Sequence, residues 1–299
     1  MNNHTDVAKT TEISGVAFRQ RGVCCASPTG LHHMAYNEWG EHDNPKVLVC
    51  VHGLTRNARD FDQLARVLAG NYRVICPDIV GRGRSDWLRD PTGYTIPQYL
   101  HDMLVLIARL DVETVHWVGT SMGGLIGMAL ASLENTPITR LVLNDIGPVI
   151  PSESIKRIGD YVGRAPSFDT YDAAENYIRI VSAPFGALND DQWRQLTESS
   201  LRQNADGRLE MRYDPGIGES FRREMSGGDI DLWPVFDRVG CPTLVVRGAE
   251  SDLLKAETLQ AMALRGPHPA VVEVPGVGHA PMFLDEAQIS IVRDFLLAA

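Results

Sequence analysis

Short apolar runs rich in β-branched residues alternate with longer segments of helical periodicity along most of this 299-residue chain. This alternation predicts a mostly parallel β-sheet with helices packed on both faces. The runs contain too few polar residues to alternate between core and solvent, which indicates strands that are covered on both sides. The predicted strands are residues 47–51, 73–76, 115–118, 140–143, 243–246 and 270–274.

The other predicted elements divide the chain into a core and an insertion. An antiparallel pair, residues 22–25 and 31–38, precedes the parallel strands, and helical spacing of apolar residues predicts helices over 61–68, 96–110 and 286–297. The rhythm stops after Pro148 and resumes near Leu232, and the residues between carry short, aromatic-rich helical patterns. We therefore expect a core domain built from residues 1–147 and 232–299, interrupted by a helical insertion over 148–231.

The charge balance limits the partners of the chain. Lysine and arginine number 28 and aspartate and glutamate 38, so the formal net charge is −10. Such an acidic surface repels phosphate backbones and anionic lipids, so neither nucleic acid nor a membrane is expected as a partner. The apolar run at 103–108 is far shorter than the roughly 20 residues of a membrane-spanning helix. A small-molecule partner is expected, and the oligomeric state stays open.

The N-terminus, the cysteines and the histidines bear on location and metal content. Residues 1–15 lack the apolar core of a secretion signal, so export is not expected. Five cysteines cannot all pair internally, and Cys50 and Cys76 lie in predicted buried strands, as expected in a reducing cytoplasm. No HExxH motif is present, and the neighbouring His32 and His33 would point to opposite faces of a strand. No metal site is expected.

The most informative segment is 115–127, where a predicted strand runs into residues 119–123 (GTSMG) and then into a helical pattern. The G-x-S-x-G spacing is typical of a serine on a very tight strand-to-helix turn, because the positions two before and two after it must be nearly free of side chain. Such a turn exposes the Ser121 hydroxyl and directs the Met122 amide, at a helix N-terminus, toward a developing oxyanion. Ser121 is the candidate nucleophile.

A nucleophilic serine needs a base, and the base needs an acid that orients it. His279 is the candidate base, because it lies in a glycine-rich loop just after the last predicted strand. Asp252, after the strand at 243–246, is the favoured acid, and Asp145, after the strand at 140–143, is the alternative. Aspartates at strand ends commonly only cap turns, so the specificity comes from the order serine, acid, histidine along the chain.

The loop after the strand at 47–51 is expected to complete the site. The Leu54 amide is the candidate second oxyanion donor, beside that of Met122. Arg56 lies two residues further on, in a loop that must face the mouth of the pocket. We expect it either to contact a substrate carboxylate or carbonyl, or to form a salt bridge with Asp60 or another acid.

These motifs together resemble the α/β-hydrolase superfamily. The matching segments are His52-Gly53, residues 81–86 (GRGRSD), the turn at Ser121, Asp252 and His279, which together span nearly the whole chain. The resemblance implies an α/β fold with a mostly parallel eight-stranded sheet, a cap formed by the insertion at 148–231, and no cofactor. A serine at the turn is unlike the epoxide-hydrolase and haloalkane-dehalogenase branches, whose nucleophile is a carboxylate.

The resemblance and the ordered residues indicate a serine hydrolase, most simply a carboxylesterase that cleaves small soluble esters through an acyl-enzyme. One alternative is a hydrolase of carbon–carbon bonds or enol-lactones in aromatic ring-cleavage products. The carbon–carbon hydrolases share a serine-glycine-glycine turn but usually carry tryptophan after the histidine, where this chain has Ala280. The other alternative is a non-catalytic ligand receptor on the same fold.

Overall fold

A computed structural model describes residues 10–224 and 227–298. The prediction that the chain lacks a secretion signal falls mainly on residues 1–9, which lie outside the described residues. The strands are β1 (Thr11–Ile13), β2 (Val16–Ser27), β3 (Gly30–Trp39), β4 (Val47–Val51), β5 (Arg73–Pro77), β6 (Val115–Thr120), β7 (Ile138–Asn144), β8 (Val149–Ile150), β9 (Ser167–Phe168), β10 (Leu201–Gln203), β11 (Leu209–Met211), β12 (Ile230–Asp231), β13 (Thr243–Gly248) and β14 (Ala270–Val274).

Ten α-helices accompany these strands in the described ranges. They are α1 (Asp62–Leu68), α2 (Ile96–Arg109), α3 (Met122–Ala131), α4 (Ser152–Tyr161), α5 (Tyr171–Val181), α6 (Asp190–Ser200), α7 (Ile217–Glu224), α8 (Trp233–Phe236), α9 (Ala256–Ala263) and α10 (Glu286–Leu297). Short 3₁₀ helices cover Ala58–Phe61, Pro91–Gly93 and Ala183–Phe185. No helix in this part of the chain is long and apolar enough to cross a membrane.

The central sheet has the strand order β1-β2-β3-β5-β4-β6-β7-β13-β14. The first three strands pair antiparallel, β3 pairs antiparallel with β5, and every pairing from β5 to β14 is parallel. Because all parallel strands run the same way, the loops that follow β4, β6, β7, β13 and β14 meet at one edge of the sheet. The candidate site residues lie in these loops.

The sheet is covered on both faces, and β4 shows this residue by residue. Val47, Val49 and Val51 pack into one buried cluster with α2, α3 and α9, whereas Leu48 and Cys50 pack into another with α1 and α10. Successive side chains of a strand point to opposite faces, so a strand between two helical layers is apolar throughout. The predicted α/β fold class is confirmed.

Two details of the sheet differ from the sequence-based expectation. The described residues form nine strands in the sheet instead of eight, because Thr11–Ile13 adds a short outer strand that has too few residues to show a pattern. Ala270–Val274 was expected to be covered on both sides, yet four of its five residues are exposed or half-buried. The reason is its position, since β14 is the edge strand beyond β13 and lacks a neighbour on one side.

The chain between β7 and β13 leaves the sheet and returns to it. It holds four helices longer than seven residues, α4 to α7, and only short strands of two or three residues. Its entry and exit pair with each other, since Val149–Ile150 and Ile230–Asp231 form an antiparallel ladder. Several of its aromatic side chains pack around a small buried cluster that includes Trp193 and Ile178 and is joined by Met282 from the loop after β14.

Candidate active site

Ser121 lies on a strained turn between β6 and α3. Its backbone φ is 52° and its ψ is −114°, a conformation that side-chain-bearing residues rarely adopt. A Cβ atom on Gly119 would lie 2.2 Å from the Gly123 carbonyl oxygen, and one on Gly123 would lie 2.0 Å from the Val51 carbonyl oxygen. The two glycines are therefore sterically required, as the G-x-S-x-G spacing predicts.

A chain of hydrogen bonds links Ser121, His279 and Asp145. The Ser121 Oγ lies 3.0 Å from His279 Nε2, and His279 Nδ1 lies 2.7 Å from an Asp145 carboxylate oxygen, Oδ2. With Nδ1–H donating to Asp145, the free lone pair of the imidazole is at Nε2, facing the serine hydroxyl. This is the geometry in which an imidazole can take the proton of a serine hydroxyl.

The Asp145 carboxylate is fully buried and is held by the last residue of β13 and by the loop that follows this strand. Its Oδ1 accepts a hydrogen bond from the Gly248 amide at 2.8 Å, and its Oδ2 accepts one from Ser251 Oγ at 2.5 Å as well as that from His279. Arg247 shapes this loop, because its guanidinium donates to the Leu254 and Ala249 carbonyl oxygens at 2.6 and 3.0 Å. These interactions satisfy the buried carboxylate and orient it toward the histidine.

The expectation that Asp252 orients His279 is wrong. The Asp252 side chain is 52% exposed, and its two carboxylate oxygens accept hydrogen bonds from Arg157 of α4 at 2.6 and 3.0 Å. The loop after β13 turns Ser251, not Asp252, toward the site. Asp145, the alternative acid, occupies the place beside the histidine because β7 lies between β6 and β13 in the sheet.

The two residues whose amides are the predicted oxyanion donors border the same cavity. Leu54 and Met122 both line the cavity at Ser121. Met122 is the first residue of α3, so its amide belongs to the helix N-terminal N–H groups that have no acceptor within the helix. The role of these two amides stays a prediction.

Arg82 belongs to the GRGRSD segment and had no predicted role. It contacts both residues whose amides are the candidate oxyanion donors. The Arg82 side chain is fully buried, and its Nε donates to the Leu54 carbonyl oxygen at 2.8 Å. Its Nη2 lies 3.6 Å from the Met122 sulfur. The guanidinium also lies 4.9 Å from the centre of the Tyr99 ring. The sequence signal was an arginine between two glycines, but its burial could not be seen from the sequence.

His52 anchors the Leu54 loop as a neutral side chain. Its Nδ1–H donates to the Gly53 carbonyl oxygen at 2.7 Å, and its Nε2 accepts the Ile79 amide at 3.0 Å. Burial lowers the pKa of His52 to about 3, because an imidazolium would lose its hydration there. His52 is therefore part of the scaffold of the loop and not a second base.

Two adjoining chambers flank Ser121. The apolar chamber is lined by Ser121 and by aliphatic and aromatic side chains such as Met122, Leu125, Ile146, Ile155 and Phe221. The polar chamber is lined by Ser121, by His279 and by polar or charged side chains such as Arg56, Asp60, Arg157 and Tyr161, together with apolar ones such as Phe185 and Met282. The serine hydroxyl therefore stands at the boundary between two different environments.

Comparison with known proteins identifies the family. The family model for the alpha/beta hydrolase fold matches residues 46–286. The 3-hydroxybutyrate-oligomer hydrolase of Cupriavidus necator is 51% identical over 285 residues, covering 93% of this chain and 97% of that protein. The chain belongs to the alpha/beta-hydrolase family. It is an esterase-like hydrolase with a small-molecule substrate.

Further members of the alpha/beta-hydrolase family agree with this assignment. Esterase YbfF of Escherichia coli is 32% identical over 267 residues, covering 83% of this chain and 91% of that protein. The crystal structure of an alpha/beta hydrolase from Novosphingobium aromaticivorans has 37% identity and a TM-score of 0.83, covering 93% of this chain and 98% of that one.

Arg56, the predicted substrate contact, already has protein partners in this alpha/beta hydrolase. Its Nε and Nη2 contact the Asp60 carboxylate at 3.0 and 2.6 Å, and its Nη1 donates to Ser200 Oγ at 2.7 Å. The salt bridge with Asp60 is the second of the two predicted possibilities. A direct contact between Arg56 and substrate stays a prediction.

One group of side chains in the described residues has the chemistry of a metal site. Cys25, His32 and Asp102 are buried with their ligand atoms within 4.8 Å of one another, and His32 Nε2 lies 2.9 Å from Asp102 Oδ2. Burial raises the pKa of the Cys25 thiol to about 12, so this group favours the neutral thiol over the thiolate that metals prefer. None of the three residues lines either chamber.

The close approach at Gly123 gives a stability prediction. Gly123→Ala is expected to lower the free energy of unfolding by about 3 kcal/mol, because the new methyl group must displace the β4 backbone at Val51. Gly240→Ala is the matched control, since nothing lies within 4 Å of a Cβ at that position. Urea denaturation of the two variants checks this. Equal stability of the two variants would contradict the steric requirement.

The buried His52 gives a prediction about pH. Its pKa is about 3 in the folded chain and 6.5 when unperturbed, so between these values the unfolded state binds the extra proton and stability falls as the pH falls. Below about pH 5.5 the wild type is expected to lose up to about 1.4 kcal/mol per pH unit more than His52→Gln. Urea denaturation of both proteins between about pH 4 and 6.5 measures the difference. If the free energy of unfolding changes with pH in the same way in both proteins, His52 does not contribute to the pH dependence of stability.

Proposed function

We propose that this protein is a serine carboxylesterase that cleaves small soluble esters through an acyl-enzyme. The observation that supports it most is the chain of hydrogen bonds at Ser121, His279 and Asp145 on a strained turn. A hydroxyl with an imidazole at its oxygen, and a buried carboxylate on the other side of the imidazole, has the parts that nucleophilic catalysis requires. A ligand receptor has no physical need for all three.

In the proposed reaction, Ser121 Oγ attacks the ester carbonyl carbon while His279 Nε2 takes the hydroxyl proton. The Asp145 carboxylate stabilises the imidazolium that forms, and the Leu54 and Met122 amides donate to the oxyanion of the tetrahedral intermediate. The imidazolium then gives its proton to the leaving alkoxide, which departs as an alcohol. Water activated by His279 attacks the acyl-enzyme and releases the acid, which restores Ser121.

We propose short oligomers of 3-hydroxybutyrate as the substrate class. The support is the Cupriavidus necator relative, whose name gives such oligomers as its substrate and which matches nearly the whole chain. The site offers an apolar chamber beside a polar one, and an oligomer of a short hydroxy acid has both methyl-bearing segments and a terminal carboxylate. The arrangement of the two chambers and the similarity to the Cupriavidus necator protein thus support the same class of ester.

The insertion and the location of the enzyme complete the proposal. Residues 148–231 are proposed to act as a cap on the core that segments 1–147 and 232–299 form, because α4 and α7 contribute Ile155 and Phe221 to the apolar chamber.

All five cysteines are free, and Cys25, Cys50 and Cys76 are buried. Free buried thiols are typical of a reducing compartment, which supports a cytoplasmic location.

The role of Ser121 is tested by removing its hydroxyl. Ser121→Ala is expected to lower kcat/KM for p-nitrophenyl butyrate by at least about 10³-fold without loss of fold. A fluorophosphonate probe should label the wild type at Ser121 and leave the variant unlabelled. Ser85 serves as the internal control for labelling. It is not expected to react, since its Oγ is buried and accepts a hydrogen bond from the Ala35 amide at 2.8 Å. Labelling at Ser85 instead would refute the assignment.

The two aspartates are separated by parallel substitutions. Asp145→Asn is expected to lower kcat by about 10⁴-fold, because an amide at that position favours the wrong histidine tautomer. Asp252→Asn is the isosteric control. It is expected to lower kcat by less than about ten-fold, since it loses only a half-exposed ion pair with Arg157. The assay is p-nitrophenyl butyrate hydrolysis at saturation. A reversed order of the two effects would overturn the assignment of Asp145.

A further inference from the structure

The positions of the two chambers relative to His279 decide which half of an ester enters which chamber. A general acid must lie within hydrogen-bond reach of the leaving oxygen that it protonates. His279 lines the polar chamber and not the apolar chamber, whereas Met122 and Ile146 line the apolar chamber. The leaving alcohol therefore belongs in the polar chamber, and the acyl chain belongs in the apolar chamber.

The charges of the polar chamber leave one cation without a counter-ion on the chamber wall. Arg56 and Asp60 both line it and neutralise each other at 2.6 Å. Arg157 also lines it, but the carboxylate that pairs with Arg157, Asp252, lies outside the lining residues and is half-exposed. Among the described charged residues that line the chamber, Arg157 is thus the one whose ion-pair partner lies outside the lining.

Arg157 is held in place chiefly by Asp252, and its guanidinium also interacts with the Tyr161 hydroxyl, which lines the same chamber. Its Nε and Nη2 form the bidentate pair with Asp252, and Nη1 takes no part in it. The same helix is tied to the loop after β13 by Ser154 Oγ, which donates to the Asp252 carbonyl oxygen at 2.8 Å, and by the pair of Glu153 with Lys255 at 2.6 Å. A guanidinium oriented in this way can accept a second carboxylate partner at its remaining N–H groups.

We propose that Arg157 binds a carboxylate on the leaving alcohol, so that the enzyme prefers esters whose alcohol half is itself a hydroxy acid. This inference rests on the proposed function and adds an orientation to it. In an oligomer of a hydroxy acid, the acyl half of each ester bond carries the free hydroxyl end and the alcohol half carries the free carboxylate end. The oligomer therefore binds with its carboxylate end toward Arg157 and its hydroxyl end in the apolar chamber.

A substrate pair that differs only in charge tests this proposal. The linear dimer of 3-hydroxybutyrate is compared with its terminal primary amide, which has nearly the same shape and no charge. Hydrolysis of the single internal ester is followed by chromatography of the products, and kcat/KM is measured for each substrate. The wild type is expected to favour the free acid by at least about ten-fold, the effect of one charge-assisted hydrogen bond.

Substitutions at Arg157 test whether this residue binds the carboxylate of the substrate. Arg157→Gln is expected to remove most of the preference for the free acid, and Arg157→Lys to keep part of it. Arg194→Gln is the matched control, because Arg194 lies on the same insertion, pairs with Asp191 on the surface and lines neither chamber. It is expected to keep the wild-type preference.

Three results would overturn the proposal. They are a wild-type ratio near one, an unchanged ratio in Arg157→Gln, and a loss of the ratio in Arg56→Met instead of Arg157→Gln. Failure of the proposed function would look different, because p-nitrophenyl butyrate would then not be hydrolysed and the fluorophosphonate probe would not label Ser121. Labelling and hydrolysis of p-nitrophenyl butyrate without a preference for the free acid would refute only the role of Arg157.

Discussion

The Asp145 carboxylate is buried at the carboxyl end of β7 and accepts hydrogen bonds from Gly248, Ser251 and His279. A buried carboxylate is costly unless donors surround it, and these contacts compensate for the hydration that it loses. The three donors come from the last residue of β13, from the loop after it and from the loop after β14. The packing of three neighbouring strands therefore determines whether the imidazole can face Ser121 at all.

The opposite side of the serine depends on backbone geometry instead of charge. The turn at Ser121 exists because Gly119 and Gly123 let β4, β6 and α3 approach each other closely. Behind it, the buried Arg82 and the neutral His52 hold the two peptide segments that carry the candidate oxyanion donors. A site that stabilises developing charge needs such rigidity, because donors that must reorganise during the reaction lose much of their effect.

The same loop that holds the acid also holds the insertion. Ser251 contacts Asp145, and its neighbour Asp252 contacts Arg157 on α4. The position of the cation in the polar chamber is thus linked through two adjacent residues to the position of the buried acid. A substitution in this loop is expected to change both substrate preference and turnover, which is why isosteric variants are needed to separate them.

The sequence by itself determined the architecture and two members of the site. Strand and helix positions follow from local apolar patterns, and the turn at Ser121 follows from glycines whose spacing is a local steric requirement. His279 followed from its place after the last strand. Each of these signals is contained in a few consecutive residues, which is why most strands agree with their predicted positions to within a few residues.

Only the tertiary structure decided between Asp145 and Asp252. Both follow strands and both lie between the serine and the histidine in the chain, so their local sequences are equivalent. The choice depends on strand order, which places β7 directly beside β6, and on a loop that turns Ser251 inward and Asp252 toward Arg157. Such contacts join residues about a hundred positions apart, as between Asp145 and Ser251. Local patterns carry no information about them, because side-chain direction in a loop is set by the packing of distant segments.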